Sequence, residues 1–389
     1  MNNISCYDKD QCCGCTSCSS ICPIECIQME FDIEGFMYPV IDTNRCIQCG
    51  KCITHCPISN NVSNNNVVFS YGLVHSDKSV TDSSASGGAF TSFAEAILSN
   101  KGKVYGCAFN ENIEAITIAV STFEELEKLR GSKYVQCNNN NQFSKIKQDL
   151  NEGKEVLYIS TPCYVAGLKS YLKCDYENLY LVDLFCHGVP SPKLFESYIN
   201  WLENKHKGKV EEYSFRNKKF GWGTKGHYII KGKEYILYGT DPYYNSFLSG
   251  KIYRPTCYKC EYACSKRPGD VSIGDFWGVE KFHPDINRDY GVSAVLVNSE
   301  KGKHMLSKIN KRVLIFKTEF NNIADTNKQL VYSTIRPAIR DEIYIRYNTM
   351  SFNKFVNKYL YFEPIILIKI KRIIPQRIKD LFRKLINKK

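Results

Sequence analysis

The stretch QCCGCTSCSSICP (Gln11–Pro23) recurs as RCIQCGKCITHCP (Arg45–Pro57). Each copy reads Cys-x2-Cys-x2-Cys-x3-Cys-Pro, with Cys12, Cys15, Cys18 and Cys22 in the first and Cys46, Cys49, Cys52 and Cys56 in the second. A cysteine repeat with its spacing intact is a ligand frame. The chain has 19 cysteines among 389 residues, and the odd number argues against a complete disulfide framework. The opening MNNISCYDKD has neither a basic start nor an apolar core, so export is not expected. A cytoplasmic, reducing setting follows, where disulfides are rare. Metal is the favoured reading. Zinc takes four ligands per ion, typically from two CxxC pairs, and fits two CxxCxxCxxxCP runs poorly.

The spacing matches the bacterial two-cluster ferredoxins, in which the fourth cysteine of each run serves the other cluster. One 4Fe–4S cluster is expected on Cys12, Cys15, Cys18 and Cys56, the other on Cys46, Cys49, Cys52 and Cys22. Cys6, Cys13 and Cys26 fall off the spacing and read as ordinary buried or half-buried side chains. Between the runs, IQMEFDIEGFMYPVID alternates apolar and polar residues about Gly35, which predicts a hairpin. Residues 1–62 are therefore expected to form an electron-carrying domain, and the long remainder implies that this wire feeds a site.

After the polar segment at residues 60–66, read as a linker, strand and helix signals alternate. VVFSYGLVH, KVYGCAF, AITIAVST, EVLYIST and LYLVDLFCHG read as strands. GGAFTSFAEAILSNKG, FEELEKLRG, QFSKIKQDLNEG, CYVAGLKSYL and PKLFESYINWLENKHKG read as helices. The alternation predicts an α/β domain with a mixed sheet, so the chain as a whole is α+β at its start and α/β in its body. Ligands of such sheets gather beyond the carboxyl ends of strands. Three loops there stand out. SSASGGAF (Ser83–Phe90) opens a helix with a glycine pair that suits a phosphate or a simple N-cap turn. STPC and CHGVPSP bring Cys163 and Cys186 to neighbouring strand ends, as one site or as two buried thiols. Arg254–Gly278 holds Cys257, Cys260 and Cys264, then Asp270 and Asp275, which read as caps of the turns at Gly269 and Gly274.

Together these loops resemble the beta subunits of coenzyme F-420 hydrogenases and dehydrogenases. The residues that carry the likeness are the two cysteine runs, SASGGAF, GSKYVQ (Gly131–Gln136), STPC, VDLFCHGVPSP, FRNKKFGW (Phe215–Trp222) and CYKCEY with DVSIGDFWG. The resemblance implies an iron–sulfur flavoprotein, with family regions at 66–150 and 151–350, the latter holding the flavin and a third cluster. It implies FAD phosphates near Ser86, Gly87 and Gly88, and a flavin or substrate pocket at Lys133, Tyr134 and Gln136. It implies a third 4Fe–4S cluster on Cys163, Cys186, Cys257 and Cys260, with Cys264 as the alternate ligand. Lys133 and His187 are the catalytic candidates, for anion stabilisation and proton donation. The expected partners are a ferredoxin or another electron donor and an organic hydride acceptor, either coenzyme F-420 or a compound of surface-polysaccharide metabolism. A non-catalytic electron-transfer subunit is the alternative, and a cluster-based redox sensor without flavin a more distant one.

The net charge of +12 sits largely in the tail, where Lys369–Lys389 carries nine Lys or Arg and one Asp. The body is only mildly basic and shows no nucleic-acid motif, so nucleic acid is not an expected partner. In the tail, Ile378, Leu381, Phe382, Leu385 and Ile386 fall on one helical face opposite Lys and Arg. Residues 355–389 are read as a basic amphipathic helix suited to peripheral contact at the inner membrane face, or to packing on the body or a partner. No apolar run is long enough to span a bilayer. Deleting residues 364–389 should lower binding to anionic liposomes; unchanged binding would leave the packing alternative.

Overall fold

The computed structural model describes residues 3–4, 8–60, 62–237, 241–309 and 312–361. Cys6 and the tail beyond residue 361 lie outside the described residues. The hairpin forms as expected: β1 (Ile27–Phe31) pairs antiparallel with β2 (Met37–Ile41). Asp32 closes it by accepting from the backbone of Glu34 and Phe36, while Gly35 takes a left-handed φ of 79°.

The body follows in chain order. β3 (Phe69–His75), β4 (Lys103–Phe109), β5 (Ala115–Val120), β6 (Val156–Ser160) and β7 (Leu179–Leu184) come first. A separate antiparallel sheet of β8 (Val210–Ser214), β9 (Gly226–Ile230) and β10 (Lys233–Leu237) intervenes. Then come β11 (Val271–Asp275), β12 (Ser293–Val297) and β13 (Val313–Thr318). The main sheet has eight strands in the order β13-β3-β12-β11-β7-β6-β4-β5. The β4–β6, β6–β7 and β7–β11 pairs are parallel and the rest antiparallel, so the sheet is mixed. The parallel strands are buried on both faces, which their apolar runs VLYIS and LYLVDL require. The helices Ala89–Ser99, Gln142–Asn151, Pro162–Leu172 and Pro192–His206 stand where the periodicity puts them. FEELEKLRG yields only a 3-10 turn over Glu125–Leu129, too short to propagate as an α-helix.

Two boundaries differ from the reading above. The segment at residues 60–66 is tied into the body, because Asn65 and Arg267 exchange backbone hydrogen bonds of 2.7 and 2.9 Å. Residues Phe355–Leu360 are part of the body rather than the tail: Phe355, Val356, Tyr359 and Leu360 are buried in one cluster with Leu194, Tyr243 and the hairpin residues Phe36 and Tyr38.

Buried arginines join the parts. Arg267 pairs with Asp183 at 2.5 Å, both side chains essentially inaccessible. Arg340 grips Glu34 of the hairpin with both terminal nitrogens at 2.5 Å. Removing one partner of a buried pair strands the other charge. Arg267→Leu should therefore lower the unfolding free energy by about 3–5 kcal/mol, whereas Lys328→Ala, which breaks an exposed pair, should change it by less than about 1 kcal/mol. Urea denaturation of the two variants checks the contrast.

Candidate functional site

The two cysteine runs fold around two hollows. Cys12, Cys15, Cys18 and Cys56 line one of about 110 Å³, closed by Tyr38, Pro39 and Ile58. Cys22, Cys46, Cys49 and Cys52 line the other, where Cys26 also sits with its sulfur 3.5 Å from that of Cys22. The fourth cysteine of each run thus crosses to the other run's hollow, as the spacing required. Each short helix in the runs is entered through a left-handed residue, Thr16 at φ 72° and Gly50 at φ 71°, which wraps the loop around its thiols. Among the described residues no group of three or more His, Cys, Asp or Glu is arranged to hold a single metal ion. Thiols spread around a hollow suit a cubane, whose irons occupy separate corners. Burial pushes the Cys18 thiol up, and the Cys56 thiol to about 12, so metal rather than solvent must draw off their protons.

The main cavity, of about 760 Å³, opens beyond the carboxyl ends of β6, β7 and β11. Cys163 follows β6, Cys186 follows β7, and Cys257 and Cys260 precede β11; all four line this cavity. The loop after β7 is held to the Cys257 segment by the Pro190–Tyr253 bridge and by Arg254 N–H donating to the Val189 carbonyl at 2.9 Å. Burial raises Cys186 to about 12. Cys264 does not join them: its sulfur lies 3.3 Å from the Glu261 and Lys266 carbonyls, outside the cavity lining, which removes it as the alternate.

A fifth thiol takes its place. Cys13 lines both the main cavity and the Cys12 hollow, within hydrogen-bond reach of Cys15 and Cys163. Those two contacts hold it well below the usual thiol range and push Cys15 and Cys163 up. The cysteine spacing gave no sign of this, because Cys13 lies off the repeat. The adjacency of two cysteines was the available signal, since neighbouring residues in extended chain face opposite ways.

Ser86, Gly88, Lys133, Tyr134, Gln136 and His187 all line the same cavity. Gly87 does not; a side chain there would strike the Leu73 carbonyl at 2.2 Å, so it serves the packing of its loop on the sheet. Gly88, at φ 92°, caps the helix Ala89–Ser99 without a capping side chain. Lys218 gathers this loop by donating to the carbonyls of Thr81, Ser86 and Tyr290. Lys133 donates to the Arg130 carbonyl at 2.7 Å, and burial lowers it to about 8. Tyr134 stacks on Phe247 at 4.3 Å and accepts from Arg216 at 3.2 Å. Burial lowers His187, favouring the neutral imidazole. Asp275, read as a turn cap, instead pairs with Arg216 at 2.9 Å and accepts from the Trp222 indole. Asp270 accepts from Leu181 N–H and Ser299 across the sheet.

Residues 153–322 match a family described as the C-terminal part of the coenzyme F420 hydrogenase/dehydrogenase beta subunit, and residues 38–63 match a 4Fe-4S binding domain. The chain carries that family's C-terminal domain with a 4Fe–4S binding domain before it. A ferredoxin of Rickettsia felis (strain ATCC VR-1525 / URRWXCal2) is 39% identical over 52 residues, 13% of this chain and 43% of the ferredoxin. The chain therefore spans less than half the length of that relative. In the xenon-derivatised F420-reducing NiFe hydrogenase complex from Methanosarcina barkeri, one chain aligns at 18% identity with a TM-score of 0.47, over 67% of this chain and 84% of that one. No helix among the described residues is long and apolar enough to cross a membrane.

Cys56→Ser and Cys22→Ser should each remove about four irons, one cubane's worth, from anaerobically purified protein. Cys264→Ser should leave iron unchanged; an equal loss there would return Cys264 to the ligand set.

Proposed function

We propose that the chain is an iron–sulfur flavin oxidoreductase. In this reading electrons pass from 4Fe–4S clusters in the cysteine runs, through a third cluster on Cys163, Cys186, Cys257 and Cys260, to FAD and an organic hydride acceptor. The observation that carries it is one cavity in which these four thiols meet the residues read as the flavin pocket, with the Cys12 hollow just behind its wall at Cys13. FAD suits the chemistry because it accepts a hydride as a pair of electrons and exchanges single electrons with clusters. The cavity volume is in the range of cofactor sites. Ser86 and Gly88 lie at the start of an 11-residue helix whose first N–H groups and positive end suit a pyrophosphate. Lys133 would hold positive charge beside the flavin, and His187 a proton at the opposite wall. Cys49 is exposed and beside it Ile47 is 63% exposed, so the second hollow is the proposed inlet for a ferredoxin or other donor. The acceptor is either coenzyme F-420 or a surface-polysaccharide intermediate.

Iron and flavin analysis of anaerobically purified protein tests the composition. About twelve irons with bound FAD are expected; about eight would remove the third cluster. Dithionite-reduced protein should reoxidise when its acceptor is added alone, F-420 and candidate sugar derivatives being tried separately. Reoxidation only through a partner protein would favour the electron-transfer subunit. The Lys133 amine is charged below about pH 8 and neutral above it. Acceptor reduction should therefore fall as pH rises through about 8, Lys133→Arg should move the fall to higher pH, and Lys133→Met should flatten it.

A further inference from the structure

Four arginines are buried at the joints of this fold, and three have carboxylates: Arg267 has Asp183, Arg340 has Glu34 and Arg216 has Asp275. Arg254 is the exception. Its side chain is inaccessible, and among the described residues it pairs with no carboxylate. Nε donates to the Cys12 carbonyl at 2.7 Å, Nη1 donates to the Gln136 amide oxygen at 3.1 Å, and Nη2 is buried with no partner. The guanidinium lies 3.9 Å from the Tyr38 ring centroid and 5.5 Å from that of Phe36. Tyr38 lines the Cys12 hollow, so the cation stands at its wall. Gly14, at φ 73°, keeps the loop open to it: a side chain there would meet Gln136 at 2.5 Å and Arg254 at 3.2 Å.

A cation taken out of water without an anion is strongly unfavourable, so a buried one marks where negative charge belongs. A 4Fe–4S cubane held by four thiolates carries two net negative charges when oxidised and three when reduced. A fixed cation beside it stabilises the reduced form more, and hydrogen bonds to ligand sulfurs act in the same direction. The second hollow differs. The cation at its edge is Lys51, which is exposed and screened by water.

We infer that Arg254 is the counter-charge of the cluster on Cys12, Cys15, Cys18 and Cys56, making it the more easily reduced of the two N-terminal clusters. The inference rests on the two-cluster reading above. Electrons entering at the exposed Cys49 side then settle on the cluster that abuts the main cavity through Cys13. Arg254 acts here as a tuning and positioning residue, outside the ligand set.

Redox titration of the full chain, followed by electron paramagnetic resonance of the reduced clusters, reads the effect. Wild type should give two separated N-terminal midpoints. Arg254→Met should shift the less negative one to more negative potential and leave the other in place, with Arg254→Lys shifting it less. Gln136→Glu, which hands the guanidinium a carboxylate, should shift the same midpoint negative and covers the case in which Arg254→Met fails to keep its iron. Unchanged midpoints at full iron content in Arg254→Met, or in Gln136→Glu, would overturn the inference. Unchanged midpoints with weakened flavin binding would also overturn it, and would assign the cation to an anion in the main cavity. A wild-type chain with fewer than about eight irons would sink the two-cluster reading itself, a different failure from full iron with unmoved midpoints.

Discussion

The contact between the first cysteine loop and the helix Pro162–Leu172 makes one molecule of two patterns. Gly167 sits on that helix where a side chain would meet the Cys15 Cβ at 2.8 Å and its sulfur at 2.9 Å. The bare backbone lets the thiol loop lie directly on the element that begins with Cys163. The same helix follows β6, and its start marks the carboxyl end of the parallel run. Close approach here therefore brings the N-terminal hollow against the region where an α/β sheet collects its ligands. Moving the loop outward by the width of one methyl group would open a gap between Cys13 and Cys163.

The rest of the docking is polar and directional. Asn139 donates to Thr16 at 3.0 Å, Thr256 to the Gln11 carbonyl at 3.2 Å, and Arg254 to the Cys12 carbonyl. Each contact joins residues more than a hundred positions apart in the chain. Hydrogen bonds of this kind add little net stability individually, but they penalise misplacement because the partners are buried. They hold the loop in register, while the shared cluster of Phe36, Tyr38, Leu194 and Tyr243 supplies the apolar burial. A cysteine loop fixed in this way suits electron transfer, which needs constant spacing between centres.

Much of this was legible in the sequence wherever the signal was periodic. The cysteine repeat located both hollows, including the crossed fourth ligands. The period-2 strands and 3.6-period helices from Phe69 to His206 read correctly, apart from the 3-10 turn at Glu125–Leu129, whose sequence offered helical propensity without room to propagate. What remained hidden was pairing across the chain. Nothing local in RPTC says that Arg254 will lack a carboxylate, nor in GDFWG that Asp275 will hold Arg216. Such assignments depend on which loops the sheet order makes neighbours, and β11 joins β7 and β12 only after the whole body has folded.

The two adjacent cysteines show the same limit from the other side. Spacing rules assign Cys12 a role and leave Cys13 without one, because such rules describe ligands of a single loop. In three dimensions the wall between the hollow and the main cavity is one residue thick, and the chain crosses it at the Cys12–Cys13 peptide. Cys12 faces a hollow whose negative charge would offset Arg254, and Cys13 faces Cys163. A thiol held below its ordinary range by two neighbouring thiols, at the thinnest point between two groups of cysteines, is where the covalent path between them is shortest. The residue that the motif discards thus occupies the position that the architecture makes most consequential for connecting the two halves.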